Sequence, residues 1–203
     1  MSEDRPTVYI DFLCPWAYRG AMWLAEVEKA GRIKPDYRFF SLMQNHDAHD
    51  GKANPPVWER NPQAAGLPAF RAATAARQQG EDAANRFRLA LQRARHHDHL
   101  QLDRAETHRL VAERSGLDVD RWARDLERAD FSALASEHTE AVRRGVFGVP
   151  TIVWPEGRSY YMKITDLVPA ERALALYDAI ETVHRFSEVI EIKTPESEGT
   201  LAA

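Results

Sequence analysis

The chain has one cysteine in 203 residues, and it falls in the run Asp11-Phe12-Leu13-Cys14-Pro15-Trp16-Ala17-Tyr18. The preceding Thr7-Val8-Tyr9-Ile10-Asp11 is β-branched and aromatic and reads as a short strand. Pro15 suits a first helical turn, because its missing N–H has no partner there. Cys14 therefore sits where a strand ends and a helix begins. A cysteine in that place meets unpaired backbone N–H groups and the positive end of the helix dipole. Both favour thiolate over thiol, and thiolate is the nucleophile. The expectation is a pKa lowered from about 8.5 towards about 3.5–7.5. The competing reading is a buried, inert cysteine, since this residue type is often fully buried. One thiol excludes an internal disulfide and a multi-cysteine zinc site.

A second run, Gly145-Val146-Phe147-Gly148-Val149-Pro150-Thr151, places a proline where a strand opens. Proline is tolerated in a sheet at an edge or at a first position. A cis Val149-Pro150 bond would turn the preceding backbone outward, to pair with an extended peptide or a tripeptide-like thiol. An ordinary loop proline competes, because only about 5–6% of such bonds are cis. Asn45 and His46 follow a second strand-like run. Ligands gather outside the carboxyl ends of parallel strands, which places both residues near Cys14. Trp16, inside the first motif, and Trp58 are candidate groove walls. His138 lies on an apolar stripe and reads as a core histidine. His96-His97-Asp98-His99 packs three histidines into four residues. They cannot all face one ion, and a helix C-terminus favours basic residues in any case. No metal site is expected.

The elements that must position these residues follow from periodicity. Ala17, Ala21 and Leu24 form one helical stripe and Trp23, Val27 and Ala30 another, so the helix after Cys14 is buried on much of its surface. Tyr37 to Leu42 reads as the second strand, which makes a βαβ unit with a right-handed crossover. Met43 to Pro62 is rich in Asn, His, Asp, Gly and Pro and reads as an irregular loop. Residues 68 to 144 read as helices. Asp103 with Glu106, Asp118 and Asp130 are their capping residues, and Phe131, Leu134, Ala135, His138 and Val142 form the inward face of the last one. Pro150 to Trp154 and Ser159 to Met162 flank a hairpin turn. Pro169 opens a final helix, Val189 to Ile192 reads as a short edge strand, and the tail from Thr194 is expected to fray. The fold class is α/β, with a core split into 1–62 and 145–203 around a helical insertion, 63–144.

Composition narrows the partners. Apolar residues make up 44%, charged residues 29%, and the net charge is −4. That balance argues against binding nucleic acid by bulk charge. The start is polar with no apolar signal core, and no run approaches the ~20 apolar residues of a membrane span. A soluble, cytoplasmic protein with no membrane partner is expected.

The two motifs together resemble the DsbA-like branch of the thioredoxin superfamily. There a Cys-Pro-His/Trp-Cys helix tip faces a Gly-Val-Pro-Thr-type cis-proline loop. The resemblance covers residues 7 to about 186 and implies a thioredoxin-like fold with a helical insertion domain. The chain is most similar to actinobacterial thiol-dependent reductases thought to draw electrons from mycothiol. The resemblance implies a thiol-disulfide oxidoreductase with Cys14 as nucleophile. Pro15, Trp16, Ala17, Asn45, His46, Val149, Pro150 and Thr151 are then the substrate- and thiol-binding set. No cofactor is tightly bound in this reading; a low-molecular-weight thiol, mycothiol or glutathione, is the co-substrate. The partners are that thiol and a disulfide or electrophilic substrate, and a homodimer is left open. The family's second cysteine falls at Ala17, so only monothiol exchange remains, with an outside thiol resolving the mixed disulfide. The alternatives are a thiol-dependent transferase or isomerase, like the kappa glutathione transferases and 2-hydroxychromene-2-carboxylate isomerases, and a redox-inactive binding module.

Overall fold

Val8, Tyr9 and Ile10 have no solvent exposure, and the strand they form, β1 (Thr7–Ile10), is central to the sheet. The computed structural model describes residues 4–52 and 54–193. Helix α1 (Pro15–Lys29) follows β1 and buries Ala17, Tyr18, Ala21, Trp23, Leu24 and Val27. Strand β2 (Asp36–Phe39) then pairs parallel to β1, with Thr7 opposite Asp36. After a run of helices, β3 (Thr151–Val153) pairs antiparallel to β1, and β4 (Ser159–Tyr161) antiparallel to β3. The order across the sheet is β2-β1-β3-β4. A 3-10 turn (Ala170–Arg172) leads into the closing helix α9 (Ala173–His184). The chain thus runs βαβ, helices, then ββα, an α/β thioredoxin-like arrangement.

Seven helices separate β2 from β3 among the described residues: α2 (Leu42–His49), α3 (Val57–Arg60), α4 (Leu67–Arg77), α5 (Glu81–His96), α6 (Ala105–Arg114), α7 (Val119–Arg128) and α8 (Ser132–Arg143). Aromatic rings, hydrogen bonds and the Arg38–Glu140 ion pair between β2 and α8, at 2.6 Å, hold this block together and fasten it to the sheet. Phe70 of α4 meets Phe12 and Phe39 edge-on, each pair of centroids 5.2 Å apart. Trp122 of α7 packs on Phe87 at 5.9 Å and donates its indole N–H to the Ala72 carbonyl at 3.1 Å. Glu137 of α8 accepts from the Phe39 N–H at 2.6 Å and from Arg77 at 2.6 Å, while Arg77 also donates to the Tyr37 carbonyl. Side chains thereby take up two outward backbone groups of β2, an edge strand that would otherwise offer them to another chain.

Several expectations are corrected. The stretch from Met43 to Pro62 is not wholly irregular, because it contains α3 and most of α2. Ser41 starts α2 by accepting the Gln44 N–H at 3.1 Å, and the inward face is polar, Gln44 and Asn45. Asp103 does not cap α6; its N-cap is Arg104, with no side-chain hydrogen bond. Val142 is 49% exposed rather than inward. Val189 to Ile192 pairs with no strand. Instead, the Phe186 and Val189 carbonyls accept from Arg158 and the Tyr160 hydroxyl. The fraying expected from Thr194 onward lies outside the described residues. The other capping assignments hold in part, Asp118 accepting the Arg121 N–H and Asp130 the Ser132 N–H.

Glu137 is the test of this attachment. Glu137→Ala leaves the Phe39 N–H and the Arg77 guanidinium without their acceptor, a loss of about 1–3 kcal/mol. Glu137→Gln keeps an acceptor and should lose less. Thermal unfolding of both variants checks the order, at about 2–4 °C per kcal/mol for a chain of this length.

Candidate active site

Cys14 is the N-cap of α1. Its Sγ accepts from the Ala17 N–H at 3.4 Å and donates to the Val149 carbonyl at 3.3 Å. Pro15 occupies the first turn, as its fixed φ suits. A sulfur that donates to a carbonyl carries its proton, and the electrostatics agree. Burial, the largest influence, pushes the thiol up to about 11. The Ala17 and Trp16 N–H groups and the Arg19 charge pull it down, and the Asp11 carboxyl pushes it further up. The lowered pKa expected from the helix start is therefore corrected. The N–H donors are present, but Cys14 is only 4% exposed, and a charge there is poorly hydrated.

The loop opposite is held from several sides. The Val149-Pro150 bond is cis. Thr151 Oγ1 donates to the Gly148 carbonyl at 2.7 Å, and Asn45 Nδ2 to the Phe147 carbonyl at 3.0 Å. Asn45 and Thr151 thus each hold the loop through one side-chain donor. Pro150 lies against α1 so closely that a Cβ on Gly20 would fall 2.8 Å from its Cγ, so only glycine fits there without a shift.

Asp11 was not singled out from the sequence, although it opens the cysteine motif. It is 5% exposed, and its two oxygens accept from the Leu13 N–H at 2.8 Å and the Leu42 N–H at 2.9 Å. Burial pushes this carboxyl up; the two N–H groups and His46 pull it back. Asp11 ties the end of β1 to the start of α2, which sets the position of the wall that α2 contributes.

A cavity of about 690 Å³ opens over the sulfur. Cys14, Trp16, His46, Val149, Phe147 and Tyr161 are among its lining residues. Phe147 is 62% exposed, and its ring lies 5.2 Å from that of Tyr161. Neither was anticipated; two apolar residues between two glycines, in Gly145-Val146-Phe147-Gly148, were the available signal for Phe147. Of the expected groove walls, Trp16 lines the cavity, whereas Trp58 is buried edge-on against His138 at 5.8 Å. His138 accepts the Ser41 N–H on Nδ1, and burial pushes it down to about 4, as befits a core histidine. His96 pairs with the Phe12 carbonyl through Nε2 and stacks on Tyr18. Among the described residues no three His, Cys, Asp or Glu side chains converge as metal ligands. A second cavity, about 510 Å³, runs along β2. Its Arg38 and Arg77 are paired with Glu140 and Glu137, and it lacks a thiol.

Comparison with known proteins agrees with the fold. The DSBA-like thioredoxin domain family matches residues 7–181. A search of curated proteins finds no match. Among solved structures, a probable DsbA oxidoreductase from Streptomyces coelicolor is similar at a TM-score of 0.59 and 18% identity, over 96% of this chain and 95% of that one. A 2-hydroxychromene-2-carboxylate isomerase has a TM-score of 0.59 and 18% identity, over 89% and 96%. The cytosolic disulfide reductase DsbM from Pseudomonas aeruginosa, which has also been solved with GSH, has a TM-score of 0.57 and 15% identity, over 88% and 99%. At these identities the likeness is one of fold.

The protonated thiol makes the pH dependence of alkylation a direct check. Only thiolate reacts, so a pKa near 11 predicts a Cys14 alkylation rate that climbs about tenfold per pH unit through pH 9. A plateau beginning at or below pH 8 would contradict the buried-thiol geometry.

Proposed function

The chain belongs to the DSBA-like thioredoxin domain family, and from that premise we propose that it exchanges disulfides through Cys14 alone, with a small thiol as its second reactant. The observation that carries this reading is the placement of Sγ between the Ala17 N–H and the Val149 carbonyl. Family members of this kind are generally thiol-disulfide oxidoreductases, and some are isomerases.

At rest the thiol donates to Val149 and is unreactive. A ligand entering the cavity with its own N–H takes over that carbonyl. The thiol then loses its acceptor, keeps the Ala17 N–H as a donor to the forming thiolate, and gives up its proton to water. Thiolate attacks one sulfur of the disulfide R–S–S–R′. A Cys14–S–S–R bond forms, the S–S bond of the substrate breaks, and R′–S⁻ leaves and takes up a proton. A second thiol, R″–SH, attacks the mixed disulfide, releasing R–S–S–R″ and restoring the Cys14 thiol. The net result is one disulfide exchanged for another, with R′–SH released.

Ala17 forces this route. It lies one helical turn after Cys14, is fully buried, and offers a methyl group where a resolving thiol would have to be. The reading takes glutathione or mycothiol as the outside thiol. The GSH-bound DsbM structure, of similar fold, supports a small thiol here, and a thiol pool of that kind suits the cytoplasm. Among the described residues no helix is long and apolar enough to cross a membrane. The held thiol also favours a second reading, isomerisation or transfer. In it a bound small thiol, steered by the Cys14 S–H, adds to an activated C=C bond: the C–S bond forms as the π bond breaks, the thiol proton ends on the neighbouring carbon, reversal of the addition gives isomerisation, and no disulfide changes.

Intact-mass measurement separates the two. After exposure to glutathione disulfide, the protein should gain one thiol at Cys14, keep it when no thiol is present, and lose it when thiol is added. Ala17→Cys should shorten the adduct's life by roughly tenfold or more, because the resolving sulfur is then intramolecular. Release from the present sequence as fast as from Ala17→Cys, with no thiol added, would contradict monothiol exchange. Thiol conjugation to an electrophile that survives Cys14→Ser would establish the second reading.

A further inference from the structure

We infer that Arg19, held against the Trp16 ring that lines the Cys14 cavity, is an anion-recognition group beside that cavity, so that the disulfides accepted there are those carrying a carboxylate. The inference rests on the thiol-exchange reading and names its substrate class. Arg19 lies on α1 one turn beyond Trp16, so the two side chains share a helix face. The guanidinium carbon is 5.0 Å from the centroid of the Trp16 ring, and Trp16 lines the cavity. Stacking on an indole fixes the plane of a guanidinium while leaving its N–H edge to other partners. That edge is not used up: Nη1 is buried and has no hydrogen-bond partner among the described residues.

A second cation reaches the same ring. Lys163 Nζ lies 4.9 Å from the Trp16 centroid. The carboxylates of the cavity wall are engaged elsewhere. Asp11 accepts the Leu13 and Leu42 N–H groups, and Asp47 is paired with Arg60. The Arg19 charge also acts on the Cys14 sulfur, so a carboxylate bound at Arg19 would sit within electrostatic reach of the reacting atom. A guanidinium presents a fork of parallel N–H donors that matches a carboxylate in two hydrogen bonds. Thiols and disulfides of the amino-acid and short-peptide kind carry such a group a few bonds from sulfur.

The test uses three symmetrical disulfides that all carry amide N–H groups: N,N′-diacetylcystine, an anion; N,N′-diacetylcystine diamide, neutral; and cystine diamide, a cation. The rate of adduct formation at Cys14 is followed by intact mass. The expected order is anion, neutral, cation, with the anion about tenfold ahead of the neutral compound. The ratio of anionic to neutral rate should fall towards one in Arg19→Gln, recover in part in Arg19→Lys, and fall with added salt in the unaltered protein. Equal rates for the three disulfides would overturn the inference. So would an Arg19→Gln variant that slows all three by the same factor, since Arg19 would then act through the thiol itself. If no disulfide gives an adduct, the thiol-exchange reading fails, and the inference fails with it.

Discussion

The Cys14 sulfur has an N–H donor on one side and a carbonyl acceptor on the other, and the acceptor belongs to a residue 135 positions away in the chain. That contact can exist only if the first helix and the proline loop are brought to the same end of the sheet. β1 does this by lying between β2 and β3: one end leads into α1, and β3 begins directly after Pro150. The remaining devices hold the approach. Gly20 lets Pro150 lie on α1, Asn45 ties the loop to α2, and Asp11 ties α2 to the end of β1.

Two influences compete at the sulfur, and their sizes decide the resting state. Helix-start groups act on charge by about 0.3–1 kcal/mol when exposed and up to about 2 when partly buried. The net rise of the thiol from 9.0 to about 11 corresponds to roughly 3 kcal/mol in favour of the neutral form. Burial therefore outweighs the helix start, and the Val149 carbonyl rewards the proton that burial retains. A ligand that offers its own donor to Val149 changes the second of these influences without unfolding anything. Reactivity is then coupled to occupancy of the cavity, which suits a protein with no second cysteine to undo an unwanted adduct.

Much of this was legible in the sequence, and what was not has physical reasons. Apolar periodicity marked β1 and α1, because a central strand and a helix packed on it bury whole faces. Cys14-Pro15 marked the helix start, because proline is tolerated there. Helix α2 was not legible: its inward residues are Gln44 and Asn45, polar groups that meet distant partners such as the Val57 N–H and the Phe147 carbonyl. Asn45 and Thr151, read as binding residues, each also donate a hydrogen bond to a loop carbonyl, since chain position says where a side chain is but not which neighbours it meets. The direction of the Cys14 shift was misread for a related reason. The helix dipole is local and visible in sequence, whereas burial is made by Val149 and other groups brought in from far along the chain. The alternation at Val189 to Ile192 is strand-like, but a strand needs a partner edge. Here Tyr160 and Arg158 meet carbonyls of that segment with side chains instead.

The central claim is that the Cys14 proton is held by the Val149 carbonyl until a ligand takes its place. Thiolate absorbance in the ultraviolet reads this directly at pH 7.5, with the Cys14→Ser protein as blank and S-methylglutathione as a ligand that cannot exchange. The account predicts almost no thiolate in the protein alone and a clear rise as the ligand saturates. Thiolate already present without ligand, or none at saturation, would contradict it.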